Sequence, residues 1–343
     1  MFEKSTLGNT GIEVLEKLED EKVIDIVNQV STLLVKAFPN SGLNYLDIYK
    51  TLLDTPMYYA KIPDGLSKVN YYFKNSSIYF AEDVNLSKID KYIMHEFIHK
   101  LQERKDKKGN ITRIGICEVN ELSMKAAALN EGAIQYITSN IFEEPLKIIN
   151  AYGIELPSTT EYYSIITNIV SQLALLLGED ILIDSTIKGK EDFKIEIIDN
   201  IGESAYKIIE KNLNSILQNK NDIYKSEDNM DEERKTFIKE LYFDTQNIIF
   251  TSFFNNMLKR IEDESDIELI RKKLDLYRNL IGTTSGYCDF DEYYINYKSQ
   301  LKNKSIELIN KTPLMVIKDN IFFRIVRRIK ILFSSKKDIQ DIR

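Results

Sequence analysis

Hydrophobic positions along this chain recur mostly at helical spacing. Between 13 and 37, Val14, Leu15, Leu18, Val23, Ile26, Val27, Val30, Leu33 and Leu34 fall at helical spacing. They predict one helix, stopped by Pro39-Asn40-Ser41-Gly42, with a shorter helix over 44–53. Residues 57–82 break the pattern. Met57–Ile62 reads as a strand, and Val69–Lys74, Asn75-Ser76-Ser77 and Ile78–Ala81 read as a hairpin, because the runs are short, aromatic and β-branched around turn residues. No other segment carries a clear sheet signal. Helical spacing then returns. Ser87 with Asp90 resembles a capping box for a helix that the polar run 103–110 ends, and a second helix is expected over 118–141. Pro145 suits a first helical turn, Ser158 with Glu161 another capping box, and Gly178 a helix stop. Further helices are expected at 190–200, 203–218, 231–262 and 265–281, the last opened by Ser265 with Glu268 and closed by Gly282. The polar stretch 218–234 reads as a loop. The fold class expected is therefore α+β, mostly α-helical.

Composition narrows the classes. The 343 residues suffice for one large domain or two ordinary ones. With 46 Lys+Arg against 53 Asp+Glu the formal net charge is −7, so no nucleic-acid partner is expected. Cys117 and Cys288, the only cysteines, can build neither a disulfide framework nor a cysteine-based zinc finger, and read as buried thiols of a reducing compartment. Met1–Gly8 has no basic region leading into an apolar run, and no uncharged apolar stretch reaches about 18 residues. A cytoplasmic protein is the expectation. The C-terminal tail differs from the rest. Between 317 and 333, Arg324, Arg327 and Arg328 share one helical face, and Phe322, Ile325, Ile329 and Phe333 another. Packing on the domain, peripheral contact with an anionic membrane, and binding of a partner macromolecule are its three readings.

The two histidines carry the chemistry. His95-Glu96-Phe97-Ile98-His99 is an H-E-x-x-H motif inside a predicted helix. Residues i and i+4 lie one turn apart on one face, so two imidazoles can converge on one metal ion at about 2.0–2.1 Å. Glu96 is then placed to reach a metal-bound water as general base rather than the metal. With no third histidine, the third ligand of a catalytic zinc has to be another donor, and Glu118, Glu121 and Glu131 are downstream candidates.

Here a resemblance enters. Asn130-Glu131-Gly132-Ala133-Ile134-Gln135-Tyr136 resembles the N-E-G-x-x-E-Y segment of bacterial gluzincin-type (thermolysin-like) zinc metallopeptidases, in which the glutamate of a second helix is the third zinc ligand. The resemblance spans about residues 68–178 and implies Glu131 as that ligand, 32 residues after His99. It departs at Gln135, where the family often has an acid, so a carboxylate orienting a ligand histidine would come from elsewhere, for example Glu118 or Glu121. It implies a zinc-bound water attacking a peptide bond, with Glu96 passing the proton to the leaving amine. The oxyanion donor is left among Tyr136, Tyr162, Tyr163, an arginine, a backbone N–H and the zinc itself. It also implies a zincin-like core whose edge strand pairs with extended substrate, and Ile78–Ala81 resembles that strand. The organisation expected is an N-terminal helical segment (1–55), a zincin-like catalytic core (56–150), a helical lobe (151–310) and the basic tail (311–343). The function expected is a zinc metallopeptidase acting on a peptide or protein. The alternative is a catalytically inert, zincin-like helical interaction protein.

Overall fold

The computed structural model describes residue 7 and residues 10–120, 124–160, 162–221, 230–281 and 290–311. The predicted tail helix, Cys288, Glu121, Glu161 and Gly282 lie outside the described residues. The chain is α+β and mostly helical. Its contacts divide it into two units. One contains the described residues up to 257 together with 273–281, and the other contains 258–272 with 290–311.

The first unit opens with a strand, β1 (Glu13–Lys17), and only then enters a helix, α1 (Asp20–Ala37). The single helix predicted over 13–37 is thus corrected. Val14 and Leu18 fit a helical repeat, but β1 pairs with a strand more than forty residues on, β2 (Met57–Lys61), and no local pattern reports that pairing. Between them α2 (Tyr45–Leu53) forms as predicted, capped by the Asn44 side chain on the amides of Leu46 and Asp47. The hairpin is present as β3 (Val69–Tyr72) and β4 (Ser77–Ala81). The sheet order is β1-β2-β4-β3, so β4 is interior and β3 is an edge. This corrects the reading of Ile78–Ala81 as the edge strand. Alternation along β4 sends Ile78 and Phe80 into the main core and Tyr79 into a smaller cluster with Ile12, Val14 and Ala60.

The helix carrying the motif, α3 (Lys91–Leu101), packs Ile93, Met94, Phe97 and Ile98 into the main core. Its cap is Asp90, which accepts from the amides of Tyr92 (2.9 Å) and Ile93 (2.8 Å), and not Ser87. After it comes a four-stranded antiparallel meander, β5 (Glu103–Lys105), β6 (Ile111–Ile114), β7 (Cys117–Val119) and β8 (Met124–Lys125). The polar run 103–110 is therefore strand and turn, with the Asp106 carboxylate accepting from the amides of Lys108 and Asn110. The helix expected over 118–141 is shortened to α4 (Ala127–Ile141).

Pro145 opens no helix. It precedes a hairpin, β9 (Lys147–Ala151) and β10 (Ile154–Ser158), whose turn residues Tyr152 and Gly153 both have positive φ, as a tight two-residue turn requires. Ser158 ends β10, and its Oγ accepts from the Thr160 amide (3.1 Å) ahead of the helix rather than capping it. The following helix, α5 (Ser164–Leu177), starts after Tyr163 and closes at Gly178 as expected. A short helix not foreseen, α6 (Glu179–Ile187), turns back from it by 119°. Among the described residues no single helix is long and apolar enough to cross a membrane. The Arg104 guanidinium ties the ends of two helices together, donating to Leu101 O (3.0 Å) at the end of α3 and to Lys188 O (2.8 Å) just after α6. Then follow α7 (Asp192–Ile201), α8 (Glu203–Asn221) and α9 (Glu232–Lys259). The last two helices among the described residues are α10 (Glu264–Ile281) and α11 (Phe290–Lys311). Asp263, not Ser265, caps α10. In the second unit α11 buries Phe290, Tyr297 and Leu301, and its Ser305 donates to Glu264 (2.8 Å).

Helices α4 and α5 cross closely at Gly132. A Cβ there would lie 2.8 Å from the Cγ2 methyls of both Ile166 and Val170 and 3.2 Å from the Ile166 carbonyl. Helix propensity alone favours alanine over glycine by up to about 1 kcal/mol. The contact reverses the sign, because β-branched side chains in a helix cannot turn aside. Gly132→Ala is expected to lower stability by about 1–3 kcal/mol, read from the urea midpoint.

Candidate metal centre

His95 and His99 lie on one face of α3, and Glu131 faces them from α4. One nitrogen of each imidazole and one carboxylate oxygen fall within 4.8 Å of one another. The two Nε2 atoms are 3.1 Å apart. Each Glu131 oxygen is 3.4 Å from one of them, Oε2 from His95 and Oε1 from His99. The side chains are 12%, 16% and 22% exposed, so the trio is set into the protein yet open to solvent.

The segment around Glu131 explains its placement. Asn130 is buried, and its Oδ1 accepts from the Ile116 amide (3.1 Å) in the turn before β7. Its amide group is also paired with Gln102 in both directions. That turn needs Gly115, whose φ is +58° and whose missing Cβ leaves room for the Asn130 and Gln102 amides. Asn130 thus pins α4 to the meander, and Gly132 seats it on α5. Glu131 between them points at the histidines.

Electrostatics and hydrogen bonding define the protonation of the cluster. Burial alone would lower the His95 pKa, but the hydrogen bond and charge of Glu131 raise it above the ordinary histidine value. Burial pushes His99 down to about 4 against the pull of Glu131, so it is neutral. Burial would raise Glu131, yet the two histidines hold it below the usual carboxylate range. The outcome is an ionised carboxylate, one neutral imidazole and one imidazole that holds its proton more tightly than an ordinary histidine, and a cation would have to displace that proton. Both imidazoles also have a neighbouring side-chain amide. His95 Nδ1 is 3.2 Å from Gln135 Nε2, and Gln102 hydrogen-bonds the His99 ring. The Gln135 amide presents an oxygen to an N–H after a flip, whereas Asn130 fixes the orientation of the Gln102 amide.

Glu96 points away from the trio, toward the edge strand, and its Oε2 accepts from the Tyr71 main-chain N–H (2.7 Å). Burial pushes its carboxyl up to about 7, against the His95 charge and that N–H. Tyr163, the residue before α5, is close enough for the charges of Glu131 and Glu96 to act on it. Burial, followed by those charges, holds its hydroxyl protonated. Tyr162 is exposed, with its hydroxyl 3.4 Å from that of Tyr163.

Other predicted residues are engaged elsewhere. Tyr136 donates to Glu179 (3.0 Å) in α6, and Glu118 is paired with Lys194 and Arg113. Glu121 lies outside the described residues, and in place of Glu118 the groups beside the histidine rings are the amides of Gln135 and Gln102. Both were legible by spacing. Gln135 follows Glu131 by four residues and Gln102 follows His99 by three, so each shares a helical face with a site residue. Tyr71 has no such signal, because only the packing of β3 against α3 brings it to Glu96. Compared with protein-family models, with curated proteins and with solved structures, the chain matches none of them.

Proposed function

We propose that this chain is a zinc-dependent metallopeptidase in which His95, His99 and Glu131 hold the metal and Glu96 is the general base. The observation that carries the reading is the convergence of one nitrogen from each histidine and a Glu131 oxygen, with Glu96 on the adjacent helical position turned toward the edge strand rather than into the ligand set. Two histidines and one carboxylate leave room for water in a zinc coordination sphere. Zinc held there would supply Lewis acidity and make a neighbouring water more acidic. Glu96 would take the proton of that water and deliver it to the leaving amine, and a carboxyl pushed up to about 7 suits both steps at neutral pH. The protonated Tyr163 hydroxyl would donate to the carbonyl oxygen as negative charge develops there. The zincin-like character of the core is part of the same reading. In it β3, not β4, offers its open main-chain edge to an extended peptide or protein substrate.

The test is untagged, zinc-loaded protein against a diverse peptide library, with products identified by mass spectrometry. Cleavage at discrete bonds, abolished by a chelator, is expected. A zinc-loaded protein that cuts nothing, in the library or in a proteome digest, would leave the inert interaction protein as the better reading. The amide at His95 gives a second expectation. Gln135→Leu should weaken zinc binding by about 10–100-fold in a chelator competition, while Gln135→Glu retains it.

A further inference from the structure

Tyr71 reaches the site through three of its parts. Its main-chain N–H donates to Glu96 (2.7 Å). Its ring lies nearly parallel to the His99 imidazole, with centroids 6.2 Å apart and planes 13° apart. Its hydroxyl donates to Glu103, two residues past the end of α3. Glu103 is 5% exposed and is an anchor rather than a loose acceptor, because it also holds Lys100 Nζ (2.7 Å), Lys105 Nζ (3.3 Å) and Ser76 Oγ (2.6 Å). One residue of the edge strand therefore touches a candidate ligand and the candidate base at once, and a carboxylate at the end of the ligand-bearing helix fixes it in place.

We propose that Tyr71 is a positioning residue for the metal centre. Its hydroxyl, held by Glu103, keeps the ring against His99 and the main-chain N–H on Glu96, so that the ligand keeps its rotamer and the base stays on the strand beside the ligand set. The proposal rests on the reading of His95, His99 and Glu131 as zinc ligands. The physical reason is preorganisation. An imidazole already confined to its binding rotamer loses less freedom when the metal arrives. Glu96 held on the strand stays beside the ligand set rather than joining it.

Tyr71→Phe keeps the ring and the main-chain N–H and removes only the anchor. Zinc affinity is measured on untagged protein by competition with a chromogenic chelator, and peptide hydrolysis as kcat and KM separately. The expected result is zinc affinity about 10-fold weaker, with kcat reduced more than KM is raised. Ser76→Ala serves as the control, since it removes another hydroxyl from the same carboxylate without any contact to His99 or Glu96, and it should bind zinc as the wild type does. Circular dichroism and Tm are recorded on both variants. A Tyr71→Phe protein that loses Tm but keeps wild-type zinc affinity overturns the proposal, and so does an equal loss of affinity in the Ser76 control. A wild-type protein that binds no zinc overturns the ligand assignment itself, which shows before any variant is compared.

Discussion

Glu96→Gln is expected to keep the zinc proposed for the site and to lose peptide hydrolysis by about 10²–10⁴-fold, the span that a general base contributes. The separation of the two effects follows from the geometry. The atoms that converge belong to His95, His99 and Glu131, whereas Glu96 is turned to the Tyr71 amide. A glutamine carbonyl can still accept from that amide, so the fold survives the exchange, but an amide cannot take a proton from water. The same variant carries a pH signature in the metal-free protein. The Glu96 carboxyl is raised from 4.5 to about 7 by burial, so the folded state binds its proton more tightly than the unfolded chain does. The associated stability is present below about 4.5 and lost as pH rises through about 7. Denaturation of Glu96→Gln should lack that decline. Residual hydrolysis at the wild-type rate would remove Glu96 from the chemistry.

Glu131→Ala is expected to abolish zinc binding, and with it the stabilisation that zinc would bring. A ligand present at a thousand times its dissociation constant stabilises the folded state by about 4 kcal/mol, so zinc should raise the wild-type Tm and leave that of the variant unchanged. Elemental analysis of untagged protein gives the direct reading. About one zinc per chain is expected in the wild type and none in Glu131→Ala or His95→Ala. The carboxylate matters for two reasons. It supplies the negative charge in a trio that otherwise consists of two imidazoles with nitrogens 3.1 Å apart, and it is held ionised by them despite its burial. Zinc retained at full occupancy in Glu131→Ala would mean that the third ligand comes from elsewhere in the chain.

The site was more legible than the fold around it, and the reason is separation along the chain. His95, Glu96 and His99 form a local pattern, because one helical turn is enough to bring the two imidazoles together. Glu131 was reached through the short N-E-G segment, yet the segment did not disclose that Asn130 pins the meander or that Gly132 admits α5. Gln135 stood out only as a departure from an acid, whereas its amide lies beside His95. The strands were misread where their pairing is nonlocal. Glu13–Lys17 looked helical because its partner is β2, and Glu103–Lys125 looked like a charged loop and the start of a helix because its strands are short and half polar. The edge strand was placed on β4 because β4 directly precedes the motif helix, although β4 crosses into the middle of the sheet and leaves β3 outside.

The sequence by itself therefore determined the mostly helical α+β class and the face of α3 that carries both histidines, with a carboxylate at the adjacent position. These depend on periodicity and spacing within a few residues, where backbone geometry alone sets which side chains meet. Tertiary structure decided which glutamate joins the histidines, which amides hold their outer nitrogens, and which strand Glu96 touches. Those choices depend on how α3, α4 and β3 pack, and packing follows from burial summed over residues far apart in the chain.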